Sequence, residues 1–231
     1  LITLLNWRLG LSLAIVVGVL QDPVRKMIPG APPILAVSSL AVWLALWIAL
    51  SRSDPQAWPR LRRTYPGVAR FTGYFVLSLV PPTLVILTYG AGAWRVALLG
   101  AFGYLAPVAG LVVGFTYPRG ARELQRLLEF YCLFTSLMLL GTLLEFSGAF
   151  PDWLAIGTDA FEASWVRYTG GGAINLLSGF YRSPDIMGWH AASLVMIGLT
   201  LALDRSRGSA RGWVLAVAWG LVCVLIAGRR K

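Results

Sequence analysis

The sequence predicts an all-α, polytopic transmembrane bundle of about seven spans, and three observations predict it. Hydrophobic residues make up 57% of the 231-residue chain and charged residues only 13%, where a soluble domain carries about 25% charge. Mean hydropathy is +0.70. The apolar residues fall into runs near the roughly 20 residues that a spanning helix needs, separated by short loops rich in Arg, Gly and Pro. So little polar surface does not coat a water-facing globule, and the bilayer must supply much of the solvent.

The first span is read at Leu1 to Leu20, cleanly apolar only from Leu9, with Arg8 snorkelling to an interface. Gln21 to Pro33 reads as a turn-rich loop. The second span is Ile34 to Leu50, and the third is Phe71 to Tyr89. Within the third, Pro81-Pro82 remove backbone donors and predict a kink or break. Gly90 to Ala93 is a tight connection before the fourth span, Trp94 to Thr116. The fifth is Leu127 to Leu144, the sixth Ile186 to Leu203 and the seventh Trp213 to Ala227. By domain, residues 1–144 hold five spans, 145–185 form an outer loop, and 186–231 add two spans and the start of another outer loop. Cys132 and Cys223 lie inside hydrophobic runs and read as buried apolar filler, with no partner spacing for a metal or disulfide framework.

Charge sets the expected orientation. The formal charge is +10. Basic residues sit in short loops between spans, which points to topology and lipid contact and away from nucleic acid. Arg52, Arg60, Arg62, Arg63 and Arg70 lie in the 51–70 loop, Arg119, Arg122 and Arg126 in 117–126, and Arg205, Arg207 and Arg211 in 204–211. These three loops alternate onto one side, read as the cytoplasm. The 145–185 loop carries Glu145, Asp152, Asp159, Glu162 and Asp185 against Arg167 and Arg182, and belongs outside. Its Trp153, Phe161 and Trp165 point to contact with the membrane surface.

The cations left on the outer side are Arg25, Lys26, Arg167, Arg182, Arg229, Arg230 and Lys231. Positive charge there opposes the insertion bias, so it asks for an anion. Arginine's planar fork suits phosphate and diphosphate oxygens, and a lipid diphosphate in the outer leaflet places its charge at this depth. The plainer reading is contact with ordinary headgroups, with Asp22 neutralising Arg25 or Lys26. The densest motif is Gly179-Phe-Tyr-Arg-Ser-Pro-Asp-Ile-Met-Gly-Trp-His190. Ser183-Pro184-Asp185 reads as a helix start, with Pro184 in the first turn and Ser183 or Asp185 as cap. A helix N-terminus favours an anion, and Arg182 sits beside it. His190, the single histidine, is a candidate proton acceptor or substrate donor, or a structural donor to a neighbouring carbonyl. Asp159, Glu162 and Asp185 are candidate bases, against the plainer readings of solvated acids and, for Asp185, a helix cap.

Residues 179–192, followed by a span, a basic loop, a second span and Gly228-Arg-Arg-Lys231, resemble the core of the O-antigen ligase and polymerase family. The stretch Leu20 to Gly30 is also similar to members of that group. The likeness covers residues 165–231, and the rest only by hydropathy. It implies transfer of a glycan from an undecaprenyl-diphosphate carrier to an acceptor hydroxyl at the outer face of the bacterial inner membrane, with no nucleotide or metal. Arg182, Arg229 and Arg230, with Arg167, would hold the diphosphate as leaving group, and Asp185 and His190 are the candidates for proton transfer.

Three departures stand out. Asn175 and Leu176 occupy the place of the family's upstream arginine, the last span ends in Gly-Arg-Arg in place of Ser-Arg, and the family's later loop with its catalytic base lies beyond this chain. The chain therefore reads as the N-terminal part of a longer protein. The rival is a non-catalytic membrane scaffold packed on other subunits. A transporter is the third reading, weakened by the expectation that no acid lies inside a span.

Overall fold

The structure is a computed structural model that describes residues 2–29, 34–90, 92–155, 166–169, 172–204 and 210–227. It is predominantly helical: α1 (Ile2–Leu5), α2 (Trp7–Met27), α3 (Ile34–Ser53), α4 (Ala57–Thr64), α5 (Pro66–Ser78), α6 (Val80–Leu87), α7 (Ala93–Thr116), α8 (Ala121–Phe146), α9 (Asp152–Ala155), α10 (Pro184–Leu203) and α11 (Ala210–Ile226). A short hairpin of β1 (Val166–Thr169) and β2 (Gly172–Asn175) lies in the 145–185 segment, antiparallel, with Thr169 opposite Gly172. Among the described residues, five stretches are long and apolar enough to cross a membrane: Trp7–Met27, Pro66–Leu87, Ala93–Thr116, Ala121–Phe146 and Pro184–Leu203. That is the build of a multi-pass membrane protein. The count is five by this measure rather than seven, because α11 has only 17 residues and the apolar stretch of α3 is measured only from Ser38.

The chain divides into two compact units. One comprises Leu1–Ala14 and Leu40–Gly120, the other Ile15–Ser39 and Ala121–Lys231.

In the first unit, the Asn6 side-chain oxygen accepts from the amides of Arg8 (3.1 Å) and Leu9 (3.3 Å), which starts α2 at Trp7. The Arg8 guanidinium lies 4.9 Å from the Trp7 ring centroid and 5.4 Å from that of Tyr117. The expected interruption near Pro81-Pro82 is present. α5 ends before Leu79 and α6 begins at Val80, so the prolines occupy its first turn, where a missing N–H costs least. The 51–70 loop is not all loop. It contains α4, which buries Ala57 and Leu61 and turns Arg60, Arg62 and Arg63 outward.

In the second unit, α10 and α11 pack tightly and α8 packs against both. Small residues permit the approach. A β-carbon at Gly220 would stand 2.8 Å from Val195 and 3.1 Å from the Ala191 carbonyl, and one at Gly198 would stand 3.0 Å from Val217. The core holds Leu139, Met187, Leu194 and both cysteines, each fully buried.

The largest correction concerns the first loop. Residues 21–27 belong to α2, which runs to Met27 with Pro23 inside it. Pro23 is buried, and an interior proline is tolerated where neighbouring elements satisfy the freed backbone groups. Asp22, Arg25 and Lys26 are thereby carried onto a helix and buried. The premise that no acid lies inside a span therefore fails: Asp22 lies within Trp7–Met27, and Glu129, already inside the expected fifth span, lies within Ala121–Phe146.

Candidate functional site

The motif from Gly179 to His190 lies in the second unit and is largely explained by packing. Gly179 has φ +57°, and a β-carbon there would meet the Thr142 amide nitrogen at 2.7 Å, so only glycine fits this left-handed turn against α8. The turn is gripped from two sides. The amides of Ser178 and Gly179 both donate to Glu145 Oε2, at 2.8 and 2.5 Å. Lys26 Nζ donates to Ser178 Oγ at 2.8 Å and to the Gly179 carbonyl at 2.6 Å. A carboxylate takes the donors and an ammonium takes the acceptors, so the half-buried Glu145 and the buried Lys26 each gain hydrogen bonds.

The next residues follow in order. Phe180 covers Gly141, where a β-carbon would approach its ring to 2.6 Å. Tyr181 is fully buried and stacks on His190, with centroids 4.8 Å apart and planes at 19°. Burial raises the Tyr181 phenol above its usual pKa, and nearby Tyr131, Asp22 and Cys223 add to the shift. Arg182 returns to the surface. Ser183, in extended backbone conformation, caps α10 by accepting from the Ile186 amide at 3.4 Å, and Pro184 fills the first turn. Of the two expected caps, Ser183 performs the task, and Asp185 lies in the first turn beside it.

Charge gathers around this turn. Asp22, Arg25 and Lys26 on the last turns of α2 are all at most 6% exposed. Arg182 is different. Its side chain is 46% exposed, and its Nε lies 3.8 Å from Asp22 Oδ1. Arg25 and Lys26 suit the negative end of α2. Glu145 sits against the negative end of α8, and the two amides it accepts offset that placement. Three cations, Arg25, Lys26 and Arg182, thus stand with two acids, Asp22 and Glu145, beside the N-terminus of α10. This arrangement can attract an anion to the exposed Arg182.

The sequence-named residues separate as follows. Arg182 sits within this charged cluster. Asp185 is half-buried in the first turn of α10. His190 is partly buried on α10, its Nδ1 3.2 Å from the Tyr131 hydroxyl on α8, so it is held by Tyr131 and Tyr181 together. Arg167 lies on β1 opposite Ile174. Arg229 and Arg230, with Asp159, Glu162, Phe161 and Trp165, lie outside the described residues.

The residues that sequence reasoning undervalued are Lys26, Glu145 and Tyr131. One signal was available for the first: Asp22, Arg25 and Lys26 stand at i, i+3 and i+4, the spacing of charges that share a helix face. Among the described residues no group of His, Cys, Asp and Glu is arranged to hold a metal ion. No protein-family model, no curated protein and no solved structure matches this chain.

Proposed function

We propose that this chain is a seven-span protein of the bacterial inner membrane that engages an undecaprenyl-diphosphate-linked glycan at the outer face and takes part in its transfer to an acceptor hydroxyl. α3 and α11 supply the two spans beyond the five long ones. The observation that carries the reading is Arg182, a half-exposed guanidinium beside the N-terminus of α10, with buried Arg25 and Lys26 behind it. Such a group receives the charge that develops on a departing diphosphate. The glycosyl carbon–oxygen bond to the carrier breaks, the acceptor oxygen takes its place, and the hydroxyl proton passes to a base. Asp185, in the first turn of α10, and His190, further along the same helix, are the candidate bases, and Arg167, Arg229 and Arg230 complete the cationic set in this reading.

The test measures consumption of undecaprenyl-diphosphate-linked glycan in membranes containing the protein. Arg182→Ala should slow turnover by about tenfold or more, the weight of one lost charge-assisted contact. Unchanged turnover in membranes holding normal amounts of the variant removes Arg182 from the site. A cysteine placed at 182 should also react with a membrane-impermeant maleimide from outside, and labelling only from the cytosolic side would overturn the orientation.

A scaffold is the second reading. It is favoured by the use of Lys26 and Glu145 to fasten the 178–179 turn, a purely structural task. It expects normal glycan turnover with Arg182→Ala and co-purification of other membrane subunits.

A further inference from the structure

A trough runs between α3 and α7 in the first unit. Its volume is about 300 Å³, and its walls include Leu40, Trp43 and Trp47 of α3 and Phe102, Leu105 and Ala106 of α7. It exists because bulk meets smallness: Trp43 reaches across to the face of Gly110, where a β-carbon would lie 3.9 Å from its ring, and props the two helices apart. Trp47 also lines an adjoining hollow of about 210 Å³ that extends past Leu50 and Val112 to Trp58 on α4. The two hollows meet at Trp47, and the second brings Ser51 and Asp54 into its lining.

The surroundings of the second hollow are basic. α4 buries Ala57 and Leu61 and exposes Arg60, Arg62 and Arg63, the pattern of an amphipathic helix lying in a membrane interface. Asp54, the single carboxylate lining the hollow, is paired with Arg60. Arg63 donates a long 3.4 Å hydrogen bond to the Pro59 carbonyl of its own helix. Arg62 stands one turn beyond Trp58, on the same face, and is exposed. Arg52, at the end of α3, adds a further exposed cation.

We propose that the two hollows are a binding site for an anionic glycerophospholipid, one acyl chain lying in the trough and its phosphate meeting Arg62 and Arg63. The volume sits at the low end of the roughly 300–1,000 Å³ found for small-molecule sites, which suits one narrow chain. A packed helix needs an interaxial distance of about 8–10 Å along a whole face. The charge beside the second hollow selects an anionic head over a zwitterionic one.

The test uses the full chain in phosphatidylcholine vesicles that contain a minor fraction of acyl-brominated lipid, either phosphatidylglycerol or phosphatidylcholine. The readout is quenching of tryptophan fluorescence, and a Trp43→Phe, Trp47→Phe double variant isolates the signal from the trough. Brominated phosphatidylglycerol should quench Trp43 and Trp47 at about fivefold lower membrane fraction than brominated phosphatidylcholine, the weight of about one arginine at a charged surface. Arg62→Ala with Arg63→Ala should erase that preference while quenching persists. Ala106→Leu should reduce quenching by both lipids, and Arg122→Ala should change neither. Equal quenching by the two lipids in the unaltered chain, or a preference that survives loss of both arginines, overturns the proposal. Absence of trough quenching by either lipid also overturns it, and points to a second copy of the chain over this face.

Discussion

The two units are built from similar apolar helices but use them differently. In the first, none of the most apolar stretch of Pro66–Leu87 is buried within the chain; in the second, 33% of the corresponding stretch of Ala121–Phe146 is. α6 has no buried residue at all, whereas α10 buries Met187, Ala191 and Leu194 completely. The first unit meets its surroundings with exposed Leu, Val and aromatic side chains and keeps Arg52, Arg60, Arg62, Arg63 and Arg70 at the surface. The second closes a core and draws charges into it. Hydropathy alone does not separate these cases, since lipid and protein interior are equally apolar. The separation comes from small residues that let helices approach and from polar atoms arranged to satisfy buried charge.

Substitution tests this contrast most severely at two glycines with positive φ. Gly179→Ala forces a side chain into backbone 2.7 Å away and should cost about 4 kcal/mol or more, enough to lower yield. Gly90→Ala in the first unit has φ +115° but open space, and should cost about 1 kcal/mol. Thermal melting of the full chain in detergent reads both, and equal losses would break the contrast. Next, Leu194→Ala should cost about 3 kcal/mol through its cavity, against less than about 0.5 kcal/mol for the exposed Leu84→Ala. Charge gives a smaller difference. Lys26→Met removes two buried charged hydrogen bonds and should cost about 2 kcal/mol. Arg182→Ala gives up an exposed pair at 3.8 Å and should cost less than about 1 kcal/mol.

The smallest effect is at Tyr181. Its buried hydroxyl has no hydrogen-bond partner among the described residues, so Tyr181→Phe should leave stability nearly unchanged at neutral pH. At high pH the signs diverge. The folded phenol has a raised pKa and stays protonated, while the unfolded one ionises near pH ~10. Folding stability from this group is therefore full below about pH 10 and declines as pH rises above it. Alkaline melts should show the phenylalanine variant losing less stability than the unaltered chain, and parallel curves would show that Tyr181 is not shielded in the fold.

Much of the helical plan was legible in the sequence, for a physical reason. Hydropathy reports the stretch that matches a bilayer, and α7 and α10 begin and end within two residues of the expected spans. It does not report where a helix stops. α8 starts at Ala121, six residues before the apolar run, because Ala-Arg-Glu-Leu-Gln-Arg favours helix without favouring lipid. α2 continues past Leu20 because its charges find partners in distant chain, and local composition carries no trace of that. In the site, the Ser183 cap, Pro184 and the exposed Arg182 were readable because they depend on neighbours in sequence. The grip of Lys26 and Glu145 on the 178–179 turn was not, since both charges resemble ordinary anchors until the fold joins them.

That grip has a consequence for how the protein is made. The ammonium of Lys26 sits in α2, yet its acceptors lie 152 and 153 residues later. At the usual pace of synthesis, about 5–20 residues per second, the early helix exists for about 8–30 seconds before Ser178 and Gly179 leave the ribosome. An ammonium buried without partners is costly wherever water is excluded. Until the later segment arrives, Lys26 must therefore keep headgroups or water as its partners, and it is enclosed only once the 178–179 turn docks on it.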